Sequence, residues 1–259
     1  MNQSEKRLFL IRSLLKEKPK YRDLRIPAEP ESQRQLLRGL MNIRAPQRID
    51  AKFLKTQDAY LQGENAAKGV TDVTALVPVQ PGLYLWQGDI TTLKCDAIVN
   101  AANSGMTGCY IPNHRCIDNA IHTYAGIELR LAWAELMEQQ GYPEPTGQAK
   151  ITPAFNLPCK YVLHTVGPII SGRVTKEDKG LLASCYRSCL ELAAENKLES
   201  VAFCCISTGE FHFPNDLAAE IAGETVKEFL KKQTSVKGVI FNVFKDLDKA
   251  IYKKLLRAA

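Results

Sequence analysis

The chain has 259 residues, of which 45% are hydrophobic and 24% are charged, ordinary proportions for a soluble globular protein. This composition excludes a disordered or collagen-like chain, and no stretch approaches the ~20 apolar residues of a membrane-spanning helix. The formal net charge is +6, and its excess lies in residues 1–80, which hold 15 Lys and Arg against 9 Asp and Glu. The N-terminus has no uninterrupted apolar segment and no signal-cleavage site, which predicts a cytoplasmic protein.

Residues 1–80 are predicted to form a helical N-terminal extension. Apolar residues recur there at helical spacing and predict three helices, the first of them capped by Ser4. The other two are predicted over 31–43 and 51–68. The positive charge of this region suits nucleic acid, an anionic membrane or an acidic protein, or simply a solvated surface. A change of pattern then separates the extension from a second unit, residues 81–259.

The second unit alternates predicted strands with predicted helices. Several of the strands are apolar on both faces, which predicts an α/β fold with a largely parallel sheet. One long helix is predicted over 118–141. In such sheets, ligands bind beyond the carboxyl ends of the strands. Three loops satisfy that rule, namely 88–90, 100–117 and 207–214.

The most unusual of these loops carries Cys109, His114 and Cys116. Thiolates and a neutral imidazole are good Zn²⁺ ligands, and three protein ligands without a fourth nearby leave a position open, as in catalytic zinc sites. The alternative is a coincidental pair of cysteines near a histidine. The spacing matches neither the HExxH motif nor the motif of the zinc deaminases. The remaining cysteines are predicted to be small buried or half-buried hydrophobes: Cys95, Cys159, Cys185, Cys189, Cys204 and Cys205.

Other candidate residues give weaker signals when taken alone. The small, hydroxyl-bearing loop that starts at Ser207 can present backbone N–H groups to a phosphate. Asp89 and Asn103 each follow a predicted strand and can bind a base or a sugar hydroxyl, although both residue types are also common in turns. Asp118 begins the long predicted helix, either as its N-cap or beside an anion site.

Taken together, the loops resemble one family. GDIT at 88–91, AIVNAAN at 97–103, a helix opening with D-x-A-I-H at 118–122, STG at 207–209 and F-x-F-P at 211–214 occur in the order and spacing of the macrodomains. The resemblance implies a three-layer α/β/α fold with a mixed, largely parallel sheet.

The segment GCYIPNHRCIDNAIH departs from the common macrodomain pattern. It is similar to the zinc-containing, sirtuin-linked class of bacterial macrodomains, which also carry a helical N-terminal extension. This resemblance implies one Zn²⁺ ion held by Cys109, His114 and Cys116. It also implies a protein-ADP-ribose hydrolase that binds ADP-ribose and mono-ADP-ribosylated protein, with an acidic lipoyl-carrier protein as a partner.

The family's residue roles carry over to specific positions. Asp89 is implied to bind the adenine amino group, with Ile90 supporting it through its backbone. Asn103 is implied to bind the distal ribose, on which Phe211 packs, and Asn103 and Asp118 are the implied catalytic residues. The diphosphate is expected at the backbone N–H groups of two segments: Cys116, Ile117, Asp118 and Asn119, and Ser207, Thr208, Gly209, Glu210 and Phe211.

The predicted function is zinc-dependent removal of mono-ADP-ribose from protein side chains, through an Asp or Glu linkage. Zinc beside the distal ribose would polarise an oxygen or lower the pKa of a bound water. One alternative is an ADP-ribose reader whose zinc is structural, and another is a metal-dependent hydrolase or deaminase of a free nucleotide-like metabolite. Nucleic-acid binding ranks last because the charge is mild. If the extension recognises the modified protein, deleting residues 1–70 weakens only protein turnover; equal loss of ADP-ribose binding would make it part of the fold.

Overall fold

Three N-terminal helices precede a six-stranded sheet with helices on both faces in the computed structural model, which describes residues 1–21 and 23–257. The helices are α1 (Gln3–Lys16), α2 (Pro30–Ile43), α3 (Ala51–Lys68), α4 (Ile117–Ala125), α5 (Ile127–Gln140), α6 (Lys176–Glu195), α7 (Asn215–Leu230) and α8 (Asp246–Arg257). The strands are β1 (Thr71–Asp72), β2 (Leu83–Gln87), β3 (Leu93–Lys94), β4 (Ala97–Ala102), β5 (Ala149–Pro153), β6 (Tyr161–Val166), β7 (Ser200–Phe203) and β8 (Gly238–Val243). Within the described residues, no helix combines the length and apolar character needed to cross a membrane.

The main sheet has the strand order β2-β8-β7-β4-β6-β5, and only β5 runs antiparallel to its neighbour. Helices α6, α7 and α8 pack on one face, and α4 and α5 pack on the other. Because both faces are covered, the central strands are mostly apolar, and Ala97, Ile98 and Val99 of β4 are fully buried. The predicted three-layer α/β/α fold with a mixed, largely parallel sheet is confirmed.

The single long helix predicted over 118–141 is wrong, because the chain breaks it into α4 and α5 at Gly126. Gly126 has a φ of 102°, a left-handed conformation that glycine adopts readily. At the break, the Ile127 N–H donates to the side-chain oxygen of Gln57 in α3 at 2.9 Å. A Cβ at Gly126 would lie 2.7 Å from the Gln57 amide nitrogen, so only glycine allows this approach.

The N-terminal helices follow their local sequence signals closely. Helix α1 is capped by Asn2 rather than by Ser4 as predicted: the Asn2 side chain accepts from the Glu5 N–H, and the Glu5 carboxylate accepts from the Asn2 N–H, both at 2.9 Å. Helices α2 and α3 occupy the predicted spans, and α3 ends at Gly69 with a φ of 87°. Their apolar faces form a small core, to which α5 contributes Ile127.

A buried arginine joins this helical region to the sheet-containing region. Arg130 of α5 donates to three carbonyl groups at the C-terminus of α2, those of Met41 (3.1 Å), Asn42 (2.6 Å) and Arg44 (2.8 Å). A cation at a helix C-terminus also interacts favourably with the helix dipole. The division of the chain at residue 80 stays a prediction from sequence.

Candidate functional site

The predicted metal ligands meet at one point in the loop formed by residues 105–116, called here the metal-ligand loop. The donor atoms of Cys109, His114 and Cys116 all lie within 4.8 Å of one another, and all three side chains are half-buried. The Cys109 Sγ is 3.5 Å from the Nδ1 of His114. On the other side of the ring, the Nε2 atom lies 3.6 Å from the carboxylate of Glu210, which belongs to a different loop. Two soft sulfur donors and an imidazole form a set that suits zinc.

A tight turn brings the two cysteines together. The His114 N–H donates to the Ile111 carbonyl at 3.2 Å, with Pro112 and Asn113 at the corners. Asn113 has a φ of 56°, and a turn with Pro second and Asn third accommodates such an angle. Cys116 then becomes the N-cap of α4, where its Sγ accepts from the Asn119 N–H at 3.4 Å. Burial raises the pKa of Cys116 to about 12, partly offset by that Asn119 hydrogen bond, and the neighbouring Cys109 raises it as well.

Behind this loop, two asparagines from β4 and its end hold a buried carboxylate. Asn100 donates to one oxygen of Asp118 at 2.8 Å, and Asn103 donates to the other at 3.3 Å. Asp118 is 5% exposed. It lies in the first turn of α4, and because Cys116 is the N-cap of that helix, Asp118 is not. Burial raises the pKa of Asp118 to about 6, while the hydrogen bonds from the two amides lower it. The amide of Asn103 also donates to the Gly108 carbonyl at 3.3 Å, so the residue joins β4 to the metal-ligand loop.

Two buried histidines complete the polar layer under the site. His164 Nδ1 lies 3.1 Å from the Asn100 amide, and its Nε2 lies 2.9 Å from the Thr152 hydroxyl. His122 lies 3.6 Å from the Asp118 carboxylate, yet burial and the charge of Arg130 lower the pKa of His122 to about 3. Burial likewise lowers the pKa of His164, so both histidines are neutral.

The loop after β7 offers free backbone donors. Ser207 has a φ of 65°, which turns the chain, and the Phe213 N–H returns to the Ser207 carbonyl at 2.9 Å. In the part of the chain that the structure describes, the N–H groups of Gly209, Glu210 and Phe211 have no protein acceptor. Successive free N–H groups on a turn form a concave anion site. The arrangement suits a phosphate, as predicted from the sequence of this loop.

Asp89 lies at the end of β2, at the edge of the sheet. One of its oxygens accepts from the Thr91 N–H and hydroxyl, at 3.0 and 2.6 Å, and this fixes a short 3₁₀ turn over Ile90–Thr92. The other oxygen lies 3.0 Å from Nζ of Lys68, at the end of α3. Burial raises the pKa of Asp89, but the charge of Lys68 and the hydrogen bonds from Thr91 outweigh it, and the net pKa is lowered. The carboxylate is ionised and partly exposed, and it remains available as an acceptor.

The sheet order places these residues in a row. Asp89, Ser207 and Asn103 follow β2, β7 and β4, and all three strands end at the same edge because they are parallel. Three strand spacings separate β2 from β4, which is ~14 Å across the sheet. The row therefore suits an extended ligand with a base at the β2 end, an anion in the middle and a sugar at the β4 end.

A family profile of the Macro domain matches residues 99–222. The chain is 57% identical to the protein-ADP-ribose hydrolase of Treponema medium over 260 aligned residues. The alignment covers 99% of this chain and 100% of the relative. The chain belongs to the macrodomain family. A protein-ADP-ribose hydrolase of Staphylococcus aureus (strain MSSA476) is 50% identical over 248 residues, covering 95% of this macrodomain and 93% of the relative. A solved Oceanobacillus iheyensis macrodomain with ADP aligns with a TM-score of 0.63 at 37% identity, covering 71% of this chain and 94% of that one.

These similarities confirm the predicted enzyme class, a glycosidase-type hydrolase. Within this macrodomain, contacts join the metal-ligand loop, Asn103 and Asp118, and His114 reaches towards Glu210. Asp89 and Ile90 lie apart from that group, at the opposite end of the row.

Sequence reasoning missed two residues that lie along the same row as the candidate site. Phe244 directly follows β8, between the strands that carry Asp89 and Ser207, and its side chain is 75% exposed. Gly167 directly follows β6, and a Cβ there would collide with the Ser207 hydroxyl. A position just after a predicted strand was the available signal for both, but exposure and close approach are properties of the folded chain.

Proposed function

We propose that this macrodomain removes mono-ADP-ribose from modified protein side chains, with a zinc ion held by Cys109, His114 and Cys116. The observation that carries the proposal is the clustering of these three donors in the loop to which Asn103 is hydrogen-bonded. The names of the full-length relatives support the same substrate class. The acidic lipoyl-carrier protein stays a prediction from the resemblance.

The row of residues along the sheet edge gives ADP-ribose its proposed orientation. Asp89 accepts from the adenine amino group, and the exposed ring of Phe244 offers a face for stacking on the base. The free N–H groups of Gly209, Glu210 and Phe211 bind the diphosphate, together with the N-terminus of α4. The distal ribose then lies at Asn103, beside the metal-ligand loop.

The residues present fit a zinc ion. The three donors match the ligand types of a zinc site, and within the described residues no fourth Cys, His, Asp or Glu joins their cluster. When bound, zinc supplies a Lewis acid that can polarise an oxygen or lower the pKa of a water towards ~7. If His114 binds through Nδ1, its Nε2–H is left facing Glu210, which orients the ring in the manner of outer-shell carboxylates. This is the role that we propose for Glu210.

Asn103 and Asp118 have different proposed roles at the sugar-binding end of the site. The Asn103 side chain is half-buried, and Asp118 and the Gly108 carbonyl fix its amide from behind. Because Asp118 is buried and already accepts from two amides, we propose that it positions Asn103 rather than donating a proton. A carboxylate leaves as an anion and needs no proton donor, which is why we propose an Asp or Glu linkage.

The test is release of ADP-ribose from a protein mono-ADP-ribosylated on Asp or Glu, with a Ser-linked substrate assayed in parallel. Metal-loaded and metal-stripped enzyme are compared side by side, with Cys116→Ala as the ligand variant. The matched control is Cys95→Ala, which removes a buried thiol just before β4, at the opposite end of that strand from Asn103. ADP-ribose binding is measured for each sample by calorimetry.

We expect release only by metal-loaded wild type and Cys95→Ala, with ADP-ribose binding retained in all samples. Equal release by stripped enzyme would refute the metal requirement while leaving the hydrolase intact. If no sample releases ADP-ribose but all bind it, the protein is a reader module with a structural metal. Release from Ser-linked but not Asp- or Glu-linked substrate would refute the proposed linkage alone.

A further inference from the structure

Helix α2 of the N-terminal extension lies against the metal-ligand loop. At Gly39 the backbone of α2 comes close to side chains of the loop: a Cβ there would lie 3.3 Å from the side-chain nitrogen of Asn113 and 3.7 Å from the Cβ of Pro112. The loop has no helix or strand of its own; Ile111 is exposed, and Tyr110 is partly exposed with its ring against the guanidinium of Arg130. Its main-chain polar groups therefore need partners from elsewhere.

Arg38 supplies the first set of partners. Its Nη2 donates to the carbonyl of His114 at 2.9 Å, so the guanidinium holds the main chain of a metal ligand directly. Its Nε and Nη2 also donate to the side-chain oxygen of Asn119, at 3.2 and 2.8 Å. The planar fork of arginine makes such a paired contact with little loss of freedom per hydrogen bond.

Asn119 passes this anchor on to the rest of the loop. Its side-chain nitrogen donates to the Ile111 carbonyl at 3.0 Å, and its backbone N–H donates to the Cys116 Sγ at 3.4 Å. One buried residue therefore contacts Arg38, the turn and a ligand sulfur. A shift of Arg38 would therefore displace two of the three metal donors, those of His114 and Cys116.

Asn42 supplies the second anchor, one turn further along α2. Its oxygen accepts from the Asn113 N–H at 3.0 Å, and its nitrogen donates to the Thr123 hydroxyl at 3.0 Å. The first contact fixes the left-handed corner of the turn. The second ties α2 to α4, the helix that Cys116 caps.

We propose that Arg38 and Asn42 position the metal-ligand loop, which makes the N-terminal extension a structural part of the metal centre. The inference rests on the proposed function in that it takes Cys109, His114 and Cys116 as metal ligands. Holding the loop in its bound shape before the ion arrives removes an ordering cost from metal binding. Deleting the extension should therefore impair the centre itself as well as any contact with the modified protein.

The experiment measures metal affinity in the full-length chain. Wild type, Arg38→Met and Arg38→Lys are titrated with Zn²⁺ against a chromophoric chelator, and Co²⁺ absorption reports the ligand geometry. Arg34→Met is the matched control, because Arg34 lies one turn earlier on α2, pairs with Glu31 and Glu64, and is exposed. Circular dichroism checks that every variant is folded. ADP binding, which reports on the end of the site near Phe244, is measured in a separate titration.

Arg38→Met is expected to weaken Zn²⁺ affinity about tenfold or more, in the range for lost outer-shell partners, and to alter the Co²⁺ spectrum. Arg38→Lys should fall between it and wild type, Arg34→Met should match wild type, and ADP affinity should stay within about twofold. A folded Arg38→Met that binds Zn²⁺ as tightly as wild type would overturn this inference alone. Failure of wild type to bind either metal would overturn the proposed metal centre together with it.

Discussion

Replacing Arg130 by Met tests how strongly the helical extension is joined to the sheet-containing region. Methionine replaces the aliphatic stem of the arginine with an apolar chain of similar length, but it has no guanidinium. Besides the three carbonyls of α2, the guanidinium donates to the carbonyls of Thr107 at 2.7 Å and Cys109 at 3.3 Å. The change therefore strips donors from a helix C-terminus and from the metal-ligand loop together.

The expected loss can be worked from these contacts. A hydrogen bond to a charged group contributes about 1.5–3 kcal/mol, but three of the acceptors share one NH₂ group and the bonds are not independent. Burial of the guanidinium also lowers its pKa, which marks a desolvation cost that Met does not incur. The neighbouring cavity of about 10 Å³ admits little water to replace the lost donors. We expect the free energy of unfolding to fall by about 4 kcal/mol, because each carbonyl left buried without a donor costs about 1–3 kcal/mol and the five costs are not independent.

Urea unfolding followed by circular dichroism measures this loss, and thermal unfolding should show the midpoint lowered by about 8–16 °C. The control is Arg48→Met, which removes an arginine that is 88% exposed and 3.5 Å from Glu135; its stability should stay within about 0.5 kcal/mol of wild type. A loss below about 1 kcal/mol in Arg130→Met would show that water or neighbouring groups satisfy the carbonyls, and would refute the reasoning.

Three further substitutions test the site. Because burial lowers the pKa of His122 to about 3, its stabilising contribution is complete above the unfolded value of 6.5 and is lost as the pH falls. Between about pH 6 and about pH 4, the urea-measured stability of wild type should fall by about 3 kcal/mol more than that of His122→Leu; parallel curves would contradict this. Gly167→Ala should weaken ADP-ribose affinity about tenfold by displacing Ser207, whereas Gly172→Ala, whose Cβ meets nothing within 4 Å, should leave calorimetric binding unchanged. Phe244→Ala should also weaken ADP-ribose binding about tenfold through lost stacking, and an equal loss in the exposed Tyr142→Ala control would show that the ring has no specific role.

The parts of the site that sequence could predict are those encoded by neighbouring residues. Cys109, His114 and Cys116 lie within one short loop, so their grouping depends on a single turn. The order of strands and helices was also predictable, since each element has its own apolar pattern. These signals need no knowledge of distant contacts.

The contacts that were not predictable join residues far apart in the chain. Arg38 and His114 are separated by 76 positions, and nothing in the pattern of α2 marks Arg38 from the exposed Arg34. The break at Gly126 was missed for the same reason. The apolar spacing continues through both helices, and the contact made at the break, from the Ile127 N–H to the Gln57 side chain, joins residues 70 positions apart.

The burial of cysteines has a consequence for the chemistry of the whole molecule. The chain has eight cysteines, and the six outside the metal-ligand loop are buried or half-buried, with pKa values that burial raises. Folding therefore sorts the thiols by position: six pack in or against the hydrophobic core as slow nucleophiles, while the half-buried Cys109 and Cys116 lie together beside the His114 imidazole. A molecule that loses its packing exposes all eight thiols, so unfolding replaces the Cys–His–Cys cluster found among the described residues with many separate positions at which a soft metal ion can bind.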